Sequence, residues 1–377
     1  MEKAIQLPFF VKASLFLVGV YVFVSILSIA GEIIVPLIFA LIIAIVLHPA
    51  VVFLKKKKIN RVLAIILTMA LAFVVIAALA TFIFAQASKL SLSFNELIEK
   101  FTEVFNESMA WASGYFQISP EKIINYISTA KAALFKSGGS AIGQTLMSVG
   151  NGLVVIFVIP VYIFLILFYK PLLLDFFHQI FGTANRVMVS EIINQTKTVI
   201  QRYLTGLSIE IIIIAILNST GLLILGIDYA ILLGIIGALL NVIPYIGGLI
   251  AVALPMIIAL ITKDSPMYAV YVLIIYYAIQ IIDNNYIVPK IVASKVKINA
   301  LVSIVVIFAF GALWGVPGMF LSIPITAIIK VICDHIDVLK PVGFLLGDTM
   351  PVIEIFKIKS IKEGLEKLKP DGQKRTH

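Results

Sequence analysis

Residues 229–262 read YAILLGIIGALLNVIPYIGGLIAVALPMIIALIT, a run of 34 residues without one Asp, Glu, Lys or Arg. A transmembrane helix needs about 20 apolar residues, because the hydrocarbon core of a bilayer is about 30 Å thick. The run is therefore too long for one span and too short for two spans with a turn. The sequence Pro-Tyr-Ile-Gly-Gly at 244–248 is typical of a helix-breaking turn. The pattern predicts a hairpin with arms of about 15 and 14 residues, each roughly 21–22 Å long.

A second run of the same kind occupies residues 298–329, which are 32 residues without a charge and are broken by Gly-Val-Pro-Gly at 315–318. A full-length hydrophobic helix precedes each run, over about 203–226 and 266–282. If both hairpins are re-entrant, the two units form an inverted repeat, and such paired broken segments indicate the binding site of a transporter. The alternative is that Pro and Gly only make tight turns between short spanning helices.

The composition indicates the class of protein. Hydrophobic residues make up 61% of the chain and charged residues 13%, against roughly 45–50% and 25% in soluble domains. A mean hydropathy of +1.10 excludes a soluble protein and predicts an all-α polytopic membrane protein. The net charge of +9 could suggest nucleic acid as a partner. Anionic lipid head groups and the positive-inside rule explain it more simply, so no nucleic acid is expected.

The sequence contains no pattern typical of an enzyme. Cys333 is the one cysteine of the chain, which excludes an internal disulfide and a thiolate metal site. The histidines His48, His178, His335 and His377 lie far apart in the sequence, without the spacing of metal ligands. No phosphate-binding loop, dinucleotide fingerprint or nucleophile elbow is present. We therefore expect no catalytic residue, no metal and no cofactor.

The basic loop near the front of the chain predicts the topology. Charge-free runs at 13–31, 33–54 and 62–88 predict three spans, the first of them a retained helix and not a cleaved signal. Lys55–Lys58 and Arg61 place five positive charges between the second and third spans, which predicts that this loop and both termini are cytoplasmic. We expect the chain to lie in the inner (plasma) membrane of a prokaryote.

The rest of the chain divides by charge and periodicity. The predicted segments are an N-terminal three-helix part at 1–88, extracytoplasmic amphipathic helices at 89–140, a fourth span with a cytoplasmic connector helix at 141–202, the first repeat at 203–264, the second repeat at 265–332, and a basic cytoplasmic tail at 333–377.

Several short motifs, densest over residues 200–332, resemble the autoinducer-2 exporter-like family of membrane permeases. They are Tyr203-Leu204-x-Gly206, Leu225-Gly226-x-Asp228-Tyr229-Ala230, Ile243-Pro244-Tyr245-Ile246-Gly247-Gly248, Asp283-Asn284-Asn285 with Pro289, Gly311-x3-Gly315-x-Pro317-Gly318, and Ile323-Pro324.

The resemblance has three departures. His48 before Pro49 stands where the family usually has Asn, Asp283 where it has Glu, and Gly248 where many members have Pro. The resemblance implies a permease without an ATPase domain that forms a homo-oligomer. Members have been linked to export of autoinducer-2, and others to exchange of sodium or lithium for protons, so the family does not fix the substrate.

Glu210 is the clearest candidate for a transport role. It lies seven residues after Tyr203, about 10 Å into the predicted fifth span, and ionisable groups cost roughly 2.5–3.5 kcal/mol to insert, which makes them functional candidates. Asn218 lies within about 80° of it around the helix. Such a carboxyl could exchange protons during transport. The alternative is a structural carboxyl that reaches a cytoplasmic crevice or pairs with Arg202.

Two further groups could contact a solute or ion. Asp283, Asn284 and Asn285 end a helix beside Pro289 and could supply oxygens to a cation, although a solvated helix end has the same composition. The hairpin tips offer backbone groups, which at membrane depth are tolerated only inside protein or a wet cavity. The predicted pathway comprises Glu210, Asn218, Asn241, Pro244, Tyr245, Gly247, Gly248, Asp283, Asn284, Asn285, Pro289, Gly315, Pro317 and Gly318.

These residues predict a secondary transporter that moves a small polar solute by alternating access and is coupled to an ion. A monovalent cation/proton antiporter, and a passive channel or membrane scaffold, are the alternatives.

Overall fold

The computed structural model describes residues 8–92, 99–100, 102–103, 106, 157–182, 185–243, 246–292 and 298–348. These residues form helices, and a single β-bridge joins Ile298 to Gly347. The helices are α1 Phe9–Ile29, α2 Gly31–Lys56, α3 Arg61–Leu92, α4 Phe157–Ile180, α5 Arg186–Ile224, α6 Ala230–Asn241, α7 Ile246–Thr262, α8 Met267–Ile282, α9 Ala300–His335 and α10 Lys340–Leu346.

Seven helical stretches among the described residues have the length and apolar composition of a membrane span: α1 to α5, α8 together with the π-helical turn that continues it to Ile291, and α9. The prediction of an all-α polytopic membrane protein is confirmed. Helix α1 buries none of its residues against the rest of the chain. Lipid tails are as apolar as leucine, so such a surface is stable against the bilayer without a protein partner.

Two helix boundaries differ from the prediction, because a change in charge marks where a membrane ends and not where a helix ends. The basic and helix-breaking pair Lys170-Pro171 predicts the end of the fourth span, whereas helix α4 continues past it to Ile180. Helix α5 is 39 residues long and joins the predicted connector to the predicted fifth span. No proline interrupts α5, and tertiary packing outweighs the cost of about 1 kcal/mol for a glycine inside a helix.

Helices α6 and α7 form a short helix pair, of 12 and 17 residues, over the first charge-free run. The two helices share a buried apolar cluster that includes Leu233 and Ala259. At the turn, a Cβ atom added to Gly247 would overlap the carbonyl oxygen of Leu240. The chain therefore reverses direction where the sequence predicted a turn, and the reversal requires glycine.

Helix α9 covers the second charge-free run and is broken near its middle. Trp314 and Gly315 have non-helical backbone angles, and Gly315 has φ of 64° and ψ of −147°. A Cβ atom on Gly318 would overlap the carbonyl oxygen of Phe310, although residues eight apart in an unbroken helix are separated by about 12 Å. Helix α9 is therefore two arms folded against each other. Whether either tip is re-entrant in the membrane stays a prediction.

The tip of the second helix pair lies beside the connection between α1 and α2. The Trp314 Nε1 group donates a hydrogen bond to the carbonyl oxygen of Leu27, at 2.9 Å. At the base of the pair, the Asn299 side-chain amide donates to the carbonyl oxygens of Leu345 and Gly347, at 2.7 and 3.1 Å. The arms of α9 therefore extend from the α1–α2 connection to α10.

Helix α5 lies at the centre of the bundle and contacts α2, α6, α8 and α9. Its side chains enter apolar clusters with each neighbour: Ile200 with Ile42 and Leu321, Leu207 with Ile307, and Ile214 with Ala238. Most of the predicted extracytoplasmic segment 89–140, and residues 349–377 of the predicted tail, lie outside the described residues.

Candidate functional site

One buried face of α5 carries polar groups among apolar ones. Tyr203, Leu207, Glu210, Ile214 and Asn218 recur at intervals of three or four residues and are all buried, which is the spacing of a single helix face. Glu210 is 7% exposed and Asn218 3%. The sequence interpretation of Glu210 and Asn218 as neighbours on one face therefore agrees with their placement.

Asp283 approaches this face from the end of α8. Its side chain is 1% exposed, and α8 changes there from α-helix to a π-helical stretch, Asp283–Val292. Such stretches are rare and occur frequently at functional sites. The Asn241 Nδ2 group, at the end of α6, donates a hydrogen bond to Asp283 Oδ2 at 2.9 Å. The tip of the first helix pair is thereby joined to α8.

Two glycines leave room for polar atoms to meet between these helices. A Cβ atom at Gly237 would lie 3.1 Å from Asn218 Nδ2 and 3.2 Å from the Tyr276 hydroxyl oxygen. A Cβ atom at Gly248 would lie 2.9 Å from Gln280 Oε1 and 3.5 Å from Asn241 Oδ1. Side chains of three elements thus converge, and together with Glu210 on the same face of α5 we call them the polar cluster: Glu210, Asn218, Asn241, Tyr276, Gln280 and Asp283.

Three atoms of the polar cluster are buried without a hydrogen-bond partner among the described residues. They are Asn218 Oδ1, the Tyr276 hydroxyl oxygen and Asp283 Oδ1, and the fourth such atom described, His178 Nδ1, belongs to another region. An unsatisfied buried polar group costs about 1–3 kcal/mol. Three such groups in one region leave hydrogen-bonding capacity that a polar ligand or water can use.

The polar cluster contains two acidic side chains and no basic one. Glu210 and Asp283 are close enough for their carboxylate charges to repel each other. Neither forms an ion pair with a described Lys, Arg or His. Arg202, which is exposed, forms none with Glu210, so the predicted alternative of an Arg202–Glu210 pair is not found. Two carboxyls beside amide and hydroxyl oxygens can accept hydrogen bonds from a solute or surround a cation.

Several of the predicted pathway residues are not part of the buried polar cluster. Gly315, Pro317 and Gly318 are at the other tip, beside the α1–α2 connection. The side chains of Asn284, Asn285 and Pro289 are exposed. Asn285 donates to the carbonyl oxygen of Ile281 of its own helix, and Asn284 accepts from Gln280 at 3.3 Å. Pro244 and Tyr245 lie outside the described residues.

The sequence interpretation missed Tyr276, Gln280 and Gly237. Tyr276, Gln280 and Asp283 are spaced by four and three residues, which places them on one face of a helix. This spacing could have predicted the site, because it places three polar side chains on one face of an otherwise apolar helix. Among the described residues, no group of three or more His, Cys, Asp or Glu side chains could hold a metal ion.

Comparison with known proteins gives a family match over most of the chain. The model of a family described as AI-2E family transporter matches residues 10–337. This match confirms the resemblance drawn from the motifs.

Two relatives match most of the chain at low identity. The provisionally named transport protein YueF of Bacillus subtilis is 26% identical over 307 residues, which are 78% of this chain and 82% of YueF. The AI-2 transport protein TqsA of Escherichia coli is 25% identical over 327 residues, which are 85% of this chain and 90% of TqsA. Both are named as transport proteins and neither as an enzyme.

Proposed function

Because the chain belongs to the AI-2E family of transporters, we propose that it moves a small polar solute through the polar cluster by alternating access. The protein is a multi-pass membrane permease and not an enzyme. We propose in addition that the movement of solute is coupled to an ion and that the protein forms a homo-oligomer.

The unpartnered atoms of the polar cluster are the observation that carries this proposal. Asn218 Oδ1, the Tyr276 hydroxyl and Asp283 Oδ1 are contributed by α5, α8 and the π-helical stretch after α8, and all three are buried. A solute that donates hydrogen bonds would satisfy them. The connection of Asn241 to Asp283 places one tip of a broken helix pair at the same point, and such tips form the binding sites of many secondary transporters.

The name of TqsA makes AI-2 the first solute to test. We expect proteoliposomes that contain the purified protein to show saturable counterflow of labelled AI-2. A passive channel or scaffold would instead give a linear leak or no flux, and that result would contradict the proposal.

Replacing Tyr276 by Phe is expected to raise the half-saturating solute concentration about 2- to 10-fold, which is the worth of one hydrogen bond. The Tyr276 hydroxyl has no partner among the described residues, so its removal should not lower thermal stability. Counterflow measures the effect, and Tyr277→Phe, which changes an exposed neighbour (68%), is the matched control. Equal effects in the two variants would place the solute elsewhere.

A monovalent cation/proton antiporter is the second candidate. The proximity of Glu210 and Asp283 favours it, since hard cations prefer oxygen ligands. A sodium or lithium gradient that drives proton movement in the same liposomes, without AI-2, would support this function.

The basic loop leads us to propose an inner-membrane location with both termini and residues 55–61 in the cytoplasm. In a chain whose buried Cys333 is replaced by Ser, we expect cysteines at Lys57 and Ser113 to react with an impermeant maleimide from opposite sides. Reaction of both from the same side would contradict this topology.

We propose further that the two helix pairs enter the membrane from opposite sides and that the first is re-entrant. The arms of the first, 12 and 17 residues, are about 18 and 26 Å long, shorter than the bilayer core. The tip of the second pair lies beside the α1–α2 connection, which the proposed topology places on the outer side, so that pair reaches the far surface. A cysteine at Leu239, which is 45% exposed near the tip of the first pair, should react with a small permeant reagent and not with a bulky impermeant one. Reaction with the bulky reagent would show a complete span.

A further inference from the structure

A second polar region lies at the opposite end of α2 from the α1–α2 connection. There the last turns of α2, the start of α3 and the middle of α4 form a cavity of about 230 Å³, lined by His48, Lys55, Arg61 and Lys170 together with apolar side chains. The described residues that line it include no Asp or Glu. We call this cavity the basic pocket.

The positive groups of the basic pocket are held close together. Lys170 Nζ donates a hydrogen bond to His48 Nε2 at 2.7 Å, across 122 residues of sequence. The Arg61 guanidinium donates to the carbonyl oxygen of Leu167 at 2.8 Å and stacks over the Phe168 ring. These contacts fix the direction of both side chains without neutralising either, since neither partner is charged.

No described carboxylate compensates these charges. Lys55, Arg61 and Lys197 of α5 all lie close enough to His48 and Lys170 to act on them electrostatically. None of the four cations, Lys55, Arg61, Lys170 and Lys197, forms an ion pair with a described acidic residue. These neighbouring positive groups therefore repel one another. An anion in the basic pocket would remove that repulsion.

We propose that the basic pocket binds a phosphate group, supplied by the head group of an anionic phospholipid or by free phosphate. Ammonium and guanidinium groups together donate strong hydrogen bonds to phosphate oxygens. The volume is several times the roughly 30 Å³ that one water molecule occupies. Val51, Val52, Leu167, Pro171 and Leu174 complete the lining. This apolar wall can contact acyl chains, so the lipid is the favoured source.

The purified full-length protein in detergent tests the proposal through its melting temperature and native mass spectra. The ligands are phosphatidylglycerol, phosphatidylcholine and sodium phosphate, with sodium sulfate matching the ionic strength. We expect phosphatidylglycerol to bind and to raise the melting temperature, and phosphatidylcholine to do so less. Stabilisation by sodium phosphate alone, to the same extent, would identify free phosphate as the source.

Substitutions test whether phosphatidylglycerol binds in the basic pocket. The double substitution Lys55→Gln with Lys170→Gln should weaken binding of phosphatidylglycerol about tenfold or more, because each basic side chain near a lipid surface contributes to binding. Lys55→Arg with Lys170→Arg should retain it. The control Lys56→Gln with Lys58→Gln removes the same charge from exposed positions outside the pocket. Equal loss in the control, or no preference for any phosphate-bearing ligand, would overturn the proposal.

Discussion

Substituting Glu210 by Gln is expected to abolish the pH dependence of transport and to reduce ion-coupled flux to background, while the protein still folds. Glutamine keeps the shape of the side chain and removes only its ionisation. Glu210 is 7% exposed, lies close to Asp283 and has no ion-pair partner among the described residues. An ionisable group inside the membrane with such surroundings is expected to exchange protons. Flux measured over a range of pH in proteoliposomes checks this result.

A control on the same helix separates coupling from a general effect of charge. Glu191 is exposed on α5, where its carboxylate lies 3.9 Å from His335. We expect Glu191→Gln to keep the pH dependence of the unmodified protein. If Glu210→Gln transports with unmodified pH dependence, Glu210 has no coupling role, and Asp283 becomes the carboxyl to test.

Substituting Gly247 by Ala is expected to cost about 3 kcal/mol of stability and to remove most of the folded, monodisperse protein. The added Cβ would overlap the carbonyl oxygen of Leu240 and lie 2.9 Å from the Cα of Asn241. Backbone atoms cannot move aside without opening the turn, so the overpacking reaches the upper part of the usual range of 1–3 kcal/mol. Melting temperature and size-exclusion profile measure the effect.

The adjacent glycine is the matched control for this prediction. A Cβ at Gly248 would meet Gln280 Oε1 at 2.9 Å and Asn241 Oδ1 at 3.5 Å, and both belong to side chains that can change rotamer. Gly248→Ala should therefore fold, and it should alter transport, since Gln280 and Asn241 belong to the polar cluster. A Gly247→Ala protein as stable as Gly248→Ala would show that the turn relaxes more easily than its contacts indicate.

Much of the fold followed from the sequence alone. A mean hydropathy of +1.10 and long charge-free runs leave only a helical membrane protein. Proline and glycine mark the two reversals, because proline removes a backbone donor and essentially only glycine adopts the combination of φ 64° and ψ −147° found at Gly315. The rarity of carboxyls in apolar helices singled out Glu210.

The polar cluster itself was decided by the tertiary structure. Helical periodicity shows which residues share a face, but it does not show which faces meet. Asn218, Asn241 and Tyr276 come together only because Gly237 and Gly248 let α6 and α7 approach α5 and α8 closely. A different contact, the hydrogen bond from Trp314 to Leu27, places Gly315, Pro317 and Gly318 beside α1 and α2, although their motif resembles the first.

Long-range contacts also decided the basic pocket and the length of α5. His48 and Lys170 are 122 residues apart, and no local pattern predicts that they touch. The sequence placed a membrane boundary near Arg202, whereas the helix runs from Arg186 to Ile224. Charged residues in the sequence show which turns of a helix lie in water and which lie in the membrane. Packing against α2, α6, α8 and α9 determines how far the helix continues.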